Sequence, residues 1–176
     1  ITLYKENNMN LDPDLFTIKQ SQEMGTWPPS NLVANGISPY IARQKKDDLI
    51  VLDVGVMKGE NAFMLLANDI KKKIKMIYGI VSYSEYENIL KQNMKDENRF
   101  SLDKIPSKAD IVCIHAQSDL YMSLHTYYDA VEHGGIFCGN EHGSTRVKEK
   151  LNRFRREKRI GTPISVANDT WFWYVR

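Results

Sequence analysis

A short glycine turn follows the first strongly apolar run of the chain, and its spacing is the clearest chemical signal in the sequence. The turn has the pattern Asp53-x-Gly55-x-x-x-Gly59. Dinucleotide-binding turns use G-x-G-x-x-G, and P-loops end in Gly-Lys-Ser/Thr; neither pattern is present here. An acid before the first glycine would repel a diphosphate and suits a positively charged ligand, such as an amino-acid ammonium group. The pattern also suits an ordinary tight turn before a helix.

Alternating apolar runs and amphipathic stretches must position this turn. Apolar runs predict strands at Leu49–Val54, Lys75–Val81, Asp110–His115 and Ile136–Cys138, with a weaker candidate at Arg99–Leu102. Helical spacing predicts helices from Glu60 to about residue 70, and over 84–94, 119–131 and 145–158. Two β-runs joined at Asn168-Asp169 predict a closing hairpin. This order predicts an α/β fold: a doubly wound, mostly parallel Rossmann-like sheet with an antiparallel C-terminal hairpin.

The N-terminal part of the chain lacks this regularity. Asp12-Pro13-Asp14 and Trp27-Pro28-Pro29 are helix breakers, so residues 1–30 are predicted to form an irregular arm before a single domain at 31–176. Ser30 predicts one helix start and Ser38-Pro39 a second, with proline at the first helical position.

Composition bounds the possible partners. The 176 residues are 42% hydrophobic and 26% charged, with a net charge of +2. We therefore expect a cytoplasmic protein without strong attraction to nucleic acid or membranes, and no run reaches the ~20 apolar residues of a membrane helix. Cys113 and Cys138 lie in strand-like runs and are predicted to be buried free thiols. A homo-oligomer is left open.

Several segments, taken in order, resemble the class I S-adenosylmethionine-dependent methyltransferases. VLDVGVMKGENA looks like their first motif, D/E-x-G-x-x-x-G, and IYGIVSYSEYENIL resembles their second strand and its helix. ADIVCIHAQSDLYMSLHTYYDAVEHGGIFCGNEHG and the closing DTWFWYVR are similar to later segments of small-molecule O-methyltransferases of the methyltransferase-24-like kind. The resemblance covers roughly residues 20–176.

The resemblance implies transfer of a methyl group from S-adenosylmethionine to a small molecule, with a hydroxyl group as the expected acceptor. It implies that Asp53, Gly55 and Gly59 shape the pocket for the methionine half of the cofactor. The other implied cofactor contacts are Val56, Met57, Asn61, Val81 and Ser82.

The end of the second strand departs from the family pattern. The family places an acid there to hold the ribose hydroxyls, whereas this chain has Val81-Ser82. Ser82, Ser84 and Glu85 are the candidates to replace it. A diverged, non-catalytic binding module of the same fold therefore stays open as an alternative.

The resemblance also points to polar residues after the fourth and fifth strands. Metal-dependent members carry acids there, and the matching His115, Asp119 and Glu141 could hold a divalent ion. His115, Glu141 and His142 are the catalytic candidates, with His115 or His142 as general base. Plainer roles are a hydrogen-bonded His115, a helix-capping Asp119 and a solvent-facing Glu141. In the resembled fold the arm passes near the cofactor, so Met24–Trp27 is expected to form part of a lid.

Overall fold

A computed structural model describes residues 15–116 and 119–176, so the predicted breaker Asp12-Pro13-Asp14 lies outside the described residues. The described helices are α1 (Ile18–Glu23), α2 (Val33–Ile41), α3 (Glu60–Asn68), α4 (Glu87–Met94), α5 (Leu120–Tyr127) and α6 (Thr145–Glu157). Short 3-10 turns at Ser84–Tyr86 and Tyr128–Ala130 adjoin α4 and α5. The described strands are β1 (Leu49–Val54), β2 (Ile74–Ile80), β3 (Phe100–Ser101), β4 (Ala109–Ile114), β5 (Val131–Gly139), β6 (Ser165–Ala167) and β7 (Thr170–Tyr174).

The strands form one sheet in the order β3-β2-β1-β4-β5-β7-β6. The neighbours from β3 to β5 are parallel, whereas β7 is antiparallel to both β5 and β6. The strand order reverses between β1 and β4, which is where ligands bind in open α/β sheets. The predicted fold class is confirmed.

Strand β1 shows why the predicted strands are apolar throughout rather than alternating. Val51 packs in the hydrophobic cluster on one face of the sheet, and its neighbour Leu52 packs in the cluster on the other face. Helices α2 and α3 contribute to the first cluster, and α5 and α6 contribute to the second. Since successive strand side chains point to opposite faces, a strand covered on both sides is apolar on both, and in β1 the buried Asp53 is the exception.

The predicted closing hairpin is also confirmed. Strands β6 and β7 are joined by Asn168 and Asp169, whose φ angles are +47° and +62°. Two successive positive φ angles are those of a type I′ turn, which favours Asn and Asp and matches the twist of paired strands.

Two predictions near the N-terminus are wrong. The arm contains helix α1, which Thr17 and Gln20 stabilise through a capping box. Pro39 does not start a helix but lies inside α2. A proline there leaves the carbonyl of Asn35 without its helical donor, and the side chain of Asn168 supplies one at 2.9 Å. The helix therefore continues through Pro39 because the distant hairpin supplies a hydrogen-bond donor to the Asn35 carbonyl.

The two cysteines are free and buried, as predicted. They are partners in register on β4 and β5, and their sulfur atoms are 3.5 Å apart. The hydrogen bond with Cys138 and burial raise the pKa of Cys113 well above its usual value. No helix among the described residues is long and apolar enough to cross a membrane.

Candidate functional site

A cavity of about 650 Å³ lies where the carboxyl ends of β1, β4 and β5 face the N-terminal arm. Gly55 follows β1, His115 follows β4 and Asn140 follows β5, and all three line the cavity. Its size falls within the roughly 300–1,000 Å³ of typical small-molecule sites.

The glycine turn forms one wall. The backbone N–H groups of Gly55 and Val56 donate to the carbonyl of Ile80 at 3.0 and 3.1 Å, which fixes the turn to the end of β2. Gly55 has a φ of +82°. Gly59 has a φ of +85°, and a Cβ there would lie 2.8 Å from a methyl carbon of Leu90. Gly55 and Val56 thus line the cavity, while Gly59 allows α4 to pack closely on the turn.

Two further residues of the turn, Met57 and Lys58, line the cavity. Met57 has a φ of +46°. The Lys58 side chain is only 10% exposed, and its Nζ lies 3.4 Å from Oε1 of Glu60, which also lines the cavity. A buried lysine and a glutamate therefore stand side by side on this wall.

Asp53 lies beneath the cavity and is fully buried. Its Oδ1 lies 2.7 Å from Nε2 of His115 and accepts from the side-chain amide of Asn61 at 3.1 Å. Its Oδ2 is buried without a hydrogen-bond partner among the described residues. Asn61 in turn accepts from the backbone N–H of Ala34 at 2.8 Å. Of these residues, Asn61 and His115 reach the cavity and Asp53 does not.

Asn140 holds the opposite side of the same region. Its side-chain oxygen accepts from the backbone N–H of Ala116 at 2.9 Å, and its amide nitrogen donates to the carbonyl of Asn31 at 3.2 Å. Its own carbonyl accepts from the indole N–H of Trp171 at 3.0 Å. Asn140 therefore ties the end of β5 to the end of β4 and to Asn31, which directly follows the arm.

The end of β2 contributes different residues from those predicted. Val81 and Ser82 do not line the cavity, whereas Tyr83, Glu85 and Tyr86 do. The chain turns through Ser84–Tyr86 as a 3-10 helix, which brings Glu85 rather than Ser82 to the cavity. Of the three candidates to replace the missing acid, Glu85 alone lines it.

The structure does not bring the three predicted metal ligands together. Among residues 15–116 and 119–176, no three His, Cys, Asp or Glu side chains could together hold a metal ion. His115 contacts Asp53, and Asp119 caps α5 by accepting from the backbone N–H of Met122 at 3.3 Å. Glu141 has its Oε2 3.9 Å from a guanidinium nitrogen of Arg146. Each predicted ligand is thus directed to a different partner.

The predicted catalytic residues separate in the same way. His115 lines the cavity, but Glu141 and His142 do not. Glu141 has a φ of +59°, so the chain turns sharply after Asn140, and the backbone N–H of His142 then donates to the carbonyl of Asp169 at 3.0 Å. Burial and Lys148 lower the pKa of His142, and Asp169 acts in the opposite direction.

The arm lines the cavity through residues on both sides of α1. Phe16, Met24 and Thr26 line the cavity. Trp27 does not line it but packs edge-on against Phe63 of α3, with ring centroids 5.6 Å apart.

Comparison with known proteins bears on the fold. No family model and no curated protein sequence matches the chain. A putative caffeoyl-CoA O-methyltransferase from Staphylococcus aureus superposes with a TM-score of 0.66 at 15% identity, over 90% of each chain. A precorrin-6y C5,15-methyltransferase from Geobacter metallireducens gives 0.60 at 15% identity, over 80% of this chain and 86% of that one. A tRNA m1G37 methyltransferase from M. jannaschii gives 0.53 at 16% identity, over 79% and 48%.

The chain has the fold of the class I S-adenosylmethionine-dependent methyltransferases. At these identities the likeness shows the fold alone, and the neighbours' printed names include both small-molecule and RNA methyltransferases.

Within this methyltransferase fold, sequence reasoning missed the roles of several cavity residues. Lys58 and Glu60 flank the last glycine of the turn, where opposite charges beside a ligand-binding motif are a readable signal. Tyr83 and Tyr86 directly follow β2, and strand ends of such sheets face ligands. The arm residue Phe16 had no such signal, because only the tertiary structure brings the segment before α1 to the cavity.

Proposed function

We propose that this protein is an S-adenosylmethionine-dependent methyltransferase that acts on a hydroxyl group of a small molecule. The observation that supports this most is the histidine after β4. His115 lines a cavity of cofactor size, and a fully buried carboxylate fixes its imidazole at 2.7 Å. A histidine oriented by a buried acid suits a general base.

The residues present fit this cofactor. Gly55 and Val56 offer a close backbone wall, and Glu85 supplies a carboxylate beyond the second strand, where ribose hydroxyls would need an acceptor. Lys58 supplies a positive charge and Glu60 a negative charge. When bound, S-adenosylmethionine would supply an electrophilic methyl group attached to a sulfonium. We assign no direct contact with the cofactor to Val81, Ser82 or Asp53, because none of them lines the cavity.

The chain's own contribution is to align the acceptor and remove its proton. His115 would accept the hydroxyl proton, and Asp53 would stabilise the positive charge that then forms on the imidazole. Asn61 holds Asp53 in place, and Asn140 fixes the neighbouring strand end. In-line displacement requires such alignment, which can supply a large part of the rate enhancement.

A small acceptor is favoured because the cavity has the volume of a small-molecule site, about 650 Å³, and the arm lines one side of it. Phe16, Met24 and Thr26 of the arm line this cavity on the side away from the strand ends. We propose that residues 1–30 act as a lid on a domain formed by residues 31–176. Trp27→Ala should then increase protease cleavage of the arm and weaken ligand binding; if neither changes, the arm is not a lid.

One observation favours the alternative of a non-catalytic binding module. The second strand ends in Val81-Ser82, and the acid that could replace the family's ribose ligand, Glu85, is exposed. Weak cofactor binding with no transfer would follow from such an arrangement.

Calorimetric titration with S-adenosylmethionine and S-adenosylhomocysteine, with ATP and NAD as controls, tests the proposal. We expect both sulfur compounds to bind and the controls not to bind. A panel of phenols, catechols and aliphatic alcohols with a methyl-labelled donor then tests transfer. Binding of neither sulfur compound would refute the proposal, and binding without transfer to any hydroxyl would favour the binding module.

A further inference from the structure

The Lys58–Glu60 pair is unusual for its place in the cavity wall. Both side chains line the cavity, and they are only 10% and 19% exposed. Their closest charged atoms are 3.4 Å apart, which is longer than a well-formed charge-assisted hydrogen bond. Neither forms a second ion pair within the part of the chain that the structure describes. Taking two charges out of water is costly, so a loose pair of this kind contributes little to stability by itself.

The acid expected to meet a cationic ligand is not available. Asp53 is fully buried, and its Oδ1 already contacts His115 and Asn61. It does not line the cavity. An ammonium group in this part of the cavity therefore needs another carboxylate, and Glu60 lies on the wall formed by the same turn.

A lysine and a glutamate side by side are complementary to a zwitterion. An α-amino acid carries a carboxylate and an ammonium group on one carbon, so the two charges of such a ligand can meet Lys58 and Glu60 together. A ligand with a single charge would satisfy one of the pair and leave the other desolvated.

We propose that Lys58 and Glu60 bind the amino-acid end of the methyl donor. Lys58 Nζ donates to the donor's carboxylate, and the Glu60 carboxylate accepts from its ammonium group. This inference rests on the proposed function, and it assigns to Glu60 the contact with an ammonium group that the sequence analysis expected of Asp53. It predicts that the protein selects donors with an intact amino-acid group.

Calorimetry with three ligands separates the two charges. S-adenosylhomocysteine carries both groups, its decarboxylated analogue keeps only the amine, and 5′-methylthioadenosine has neither. We expect wild-type protein to bind S-adenosylhomocysteine at least about 10-fold more tightly than either truncated ligand. Lys58→Met should weaken S-adenosylhomocysteine about 10-fold or more and leave the other two unchanged. Glu60→Gln should weaken both amine-bearing ligands and leave 5′-methylthioadenosine unchanged.

Matched controls come from an exposed pair on α4. Lys91 and Glu87 form an ion pair of 2.6 Å away from the cavity, so Lys91→Met and Glu87→Gln should bind all three ligands like the wild type. Lys58→Arg keeps the cation and should retain most of the preference for the carboxylate. Thermal unfolding of each variant identifies any that fails to fold, and the wild-type ligand comparison does not depend on the variants.

The outcomes distinguish this inference from the proposed function. Equal wild-type affinity for the three ligands, or equal weakening of all three by Lys58→Met, would overturn the assignment of the pair while leaving a cofactor site in place. Absence of S-adenosylhomocysteine binding to the wild type would overturn the proposed function and this inference with it.

Discussion

The two sides of the cavity are built differently. The floor, which we define as Asp53, Asn61, His115 and Asn140, is at most 7% exposed. Each of its side chains takes part in a hydrogen bond to another floor residue or to the backbone of a neighbouring element. The rim, which we define as residues 81–86, is mostly exposed and carries Glu85 and two tyrosines whose rings meet edge-on at 6.4 Å.

This difference indicates that the floor and the rim contribute to different properties of the protein. Buried polar groups must be hydrogen-bonded, so the floor is fixed in one arrangement before any ligand arrives. An exposed carboxylate is solvated and gains less from a new hydrogen bond. We therefore expect floor substitutions to change catalysis and stability strongly, and rim substitutions to change ligand affinity modestly.

The largest expected effect is on catalysis through Asp53. Asp53→Asn keeps the shape and the acceptor oxygen but removes the charge that would stabilise a protonated His115. Once an acceptor is known, kcat should fall about 100-fold or more, since general-base catalysis contributes about 10²–10⁴. The Kd of S-adenosylhomocysteine should stay within about threefold.

Asp119→Asn is the matched control for that prediction. Asp119 is exposed, caps α5 and does not line the cavity. The kcat of the Asp119→Asn variant should be close to the wild-type value. If Asp53→Asn weakened cofactor binding and left kcat unchanged, Asp53 would act on the cofactor rather than through His115.

The next effect is on stability through Asn61. Asn61→Ala removes the acceptor of the buried Ala34 N–H and one donor to Asp53, leaving buried polar groups unpaired. We expect the free energy of unfolding in urea to fall by about 2–3 kcal/mol. The exposed Asn88→Ala should change it by less than about 0.5 kcal/mol. Equal losses in the two variants would show that the floor is not a rigid unit.

A smaller effect is expected at the rim. Glu85→Gln should weaken S-adenosylhomocysteine about 3- to 10-fold, because a neutral amide is a weaker acceptor for two hydroxyl groups. S-adenosylhomocysteine titrations at low and high salt measure it, and Glu87→Gln on the neighbouring turn of chain is the control. A loss well above 10-fold would mean that the rim is as well organised as the floor.

The smallest effect concerns His142, which lies beyond the floor. Its pKa is lower in the folded chain than the usual 6.5, so the unfolded chain binds the proton more readily. Its contribution to stability is present above that value and is lost as pH falls through the folded pKa. Urea midpoints should fall slightly from about pH 7 to about pH 5, and by less in His142→Asn. The His142→Asn variant should bind S-adenosylhomocysteine with wild-type affinity. A clear loss of affinity would mean that His142 belongs to the floor together with Asn140.

Local patterns were sufficient for most of the fold. The strand Leu49–Val54, the helix start at Glu60 and the turn at Asn168-Asp169 are all found as predicted. Helix α1 and the continuation of α2 through Pro39 were missed. A six-residue helix has little intrinsic stability, and the carbonyl freed by Pro39 depends on Asn168, far away in sequence.

The candidate site was predictable in its place but not in its members. The ends of β1, β4 and β5 do meet at the cavity, and His115 lies there. Asn140 reaches the cavity and Glu141 does not, because the left-handed backbone at Glu141 turns the chain toward the hairpin. Lys58 and Glu85 reach it because of the glycine turn and the 3-10 turn.

The sequence by itself determined the order of strands and helices, the parallel sheet and the glycine turn. These follow from hydrophobic periodicity and from residues with special backbone preferences, which act over a few neighbours. The tertiary structure alone decided that Asp53 is sealed against His115, that Lys58 and Glu60 face the cavity, and that three predicted metal ligands point to separate partners. The direction of a side chain at the end of a strand depends on contacts with distant segments, and those contacts are not written in local spacing.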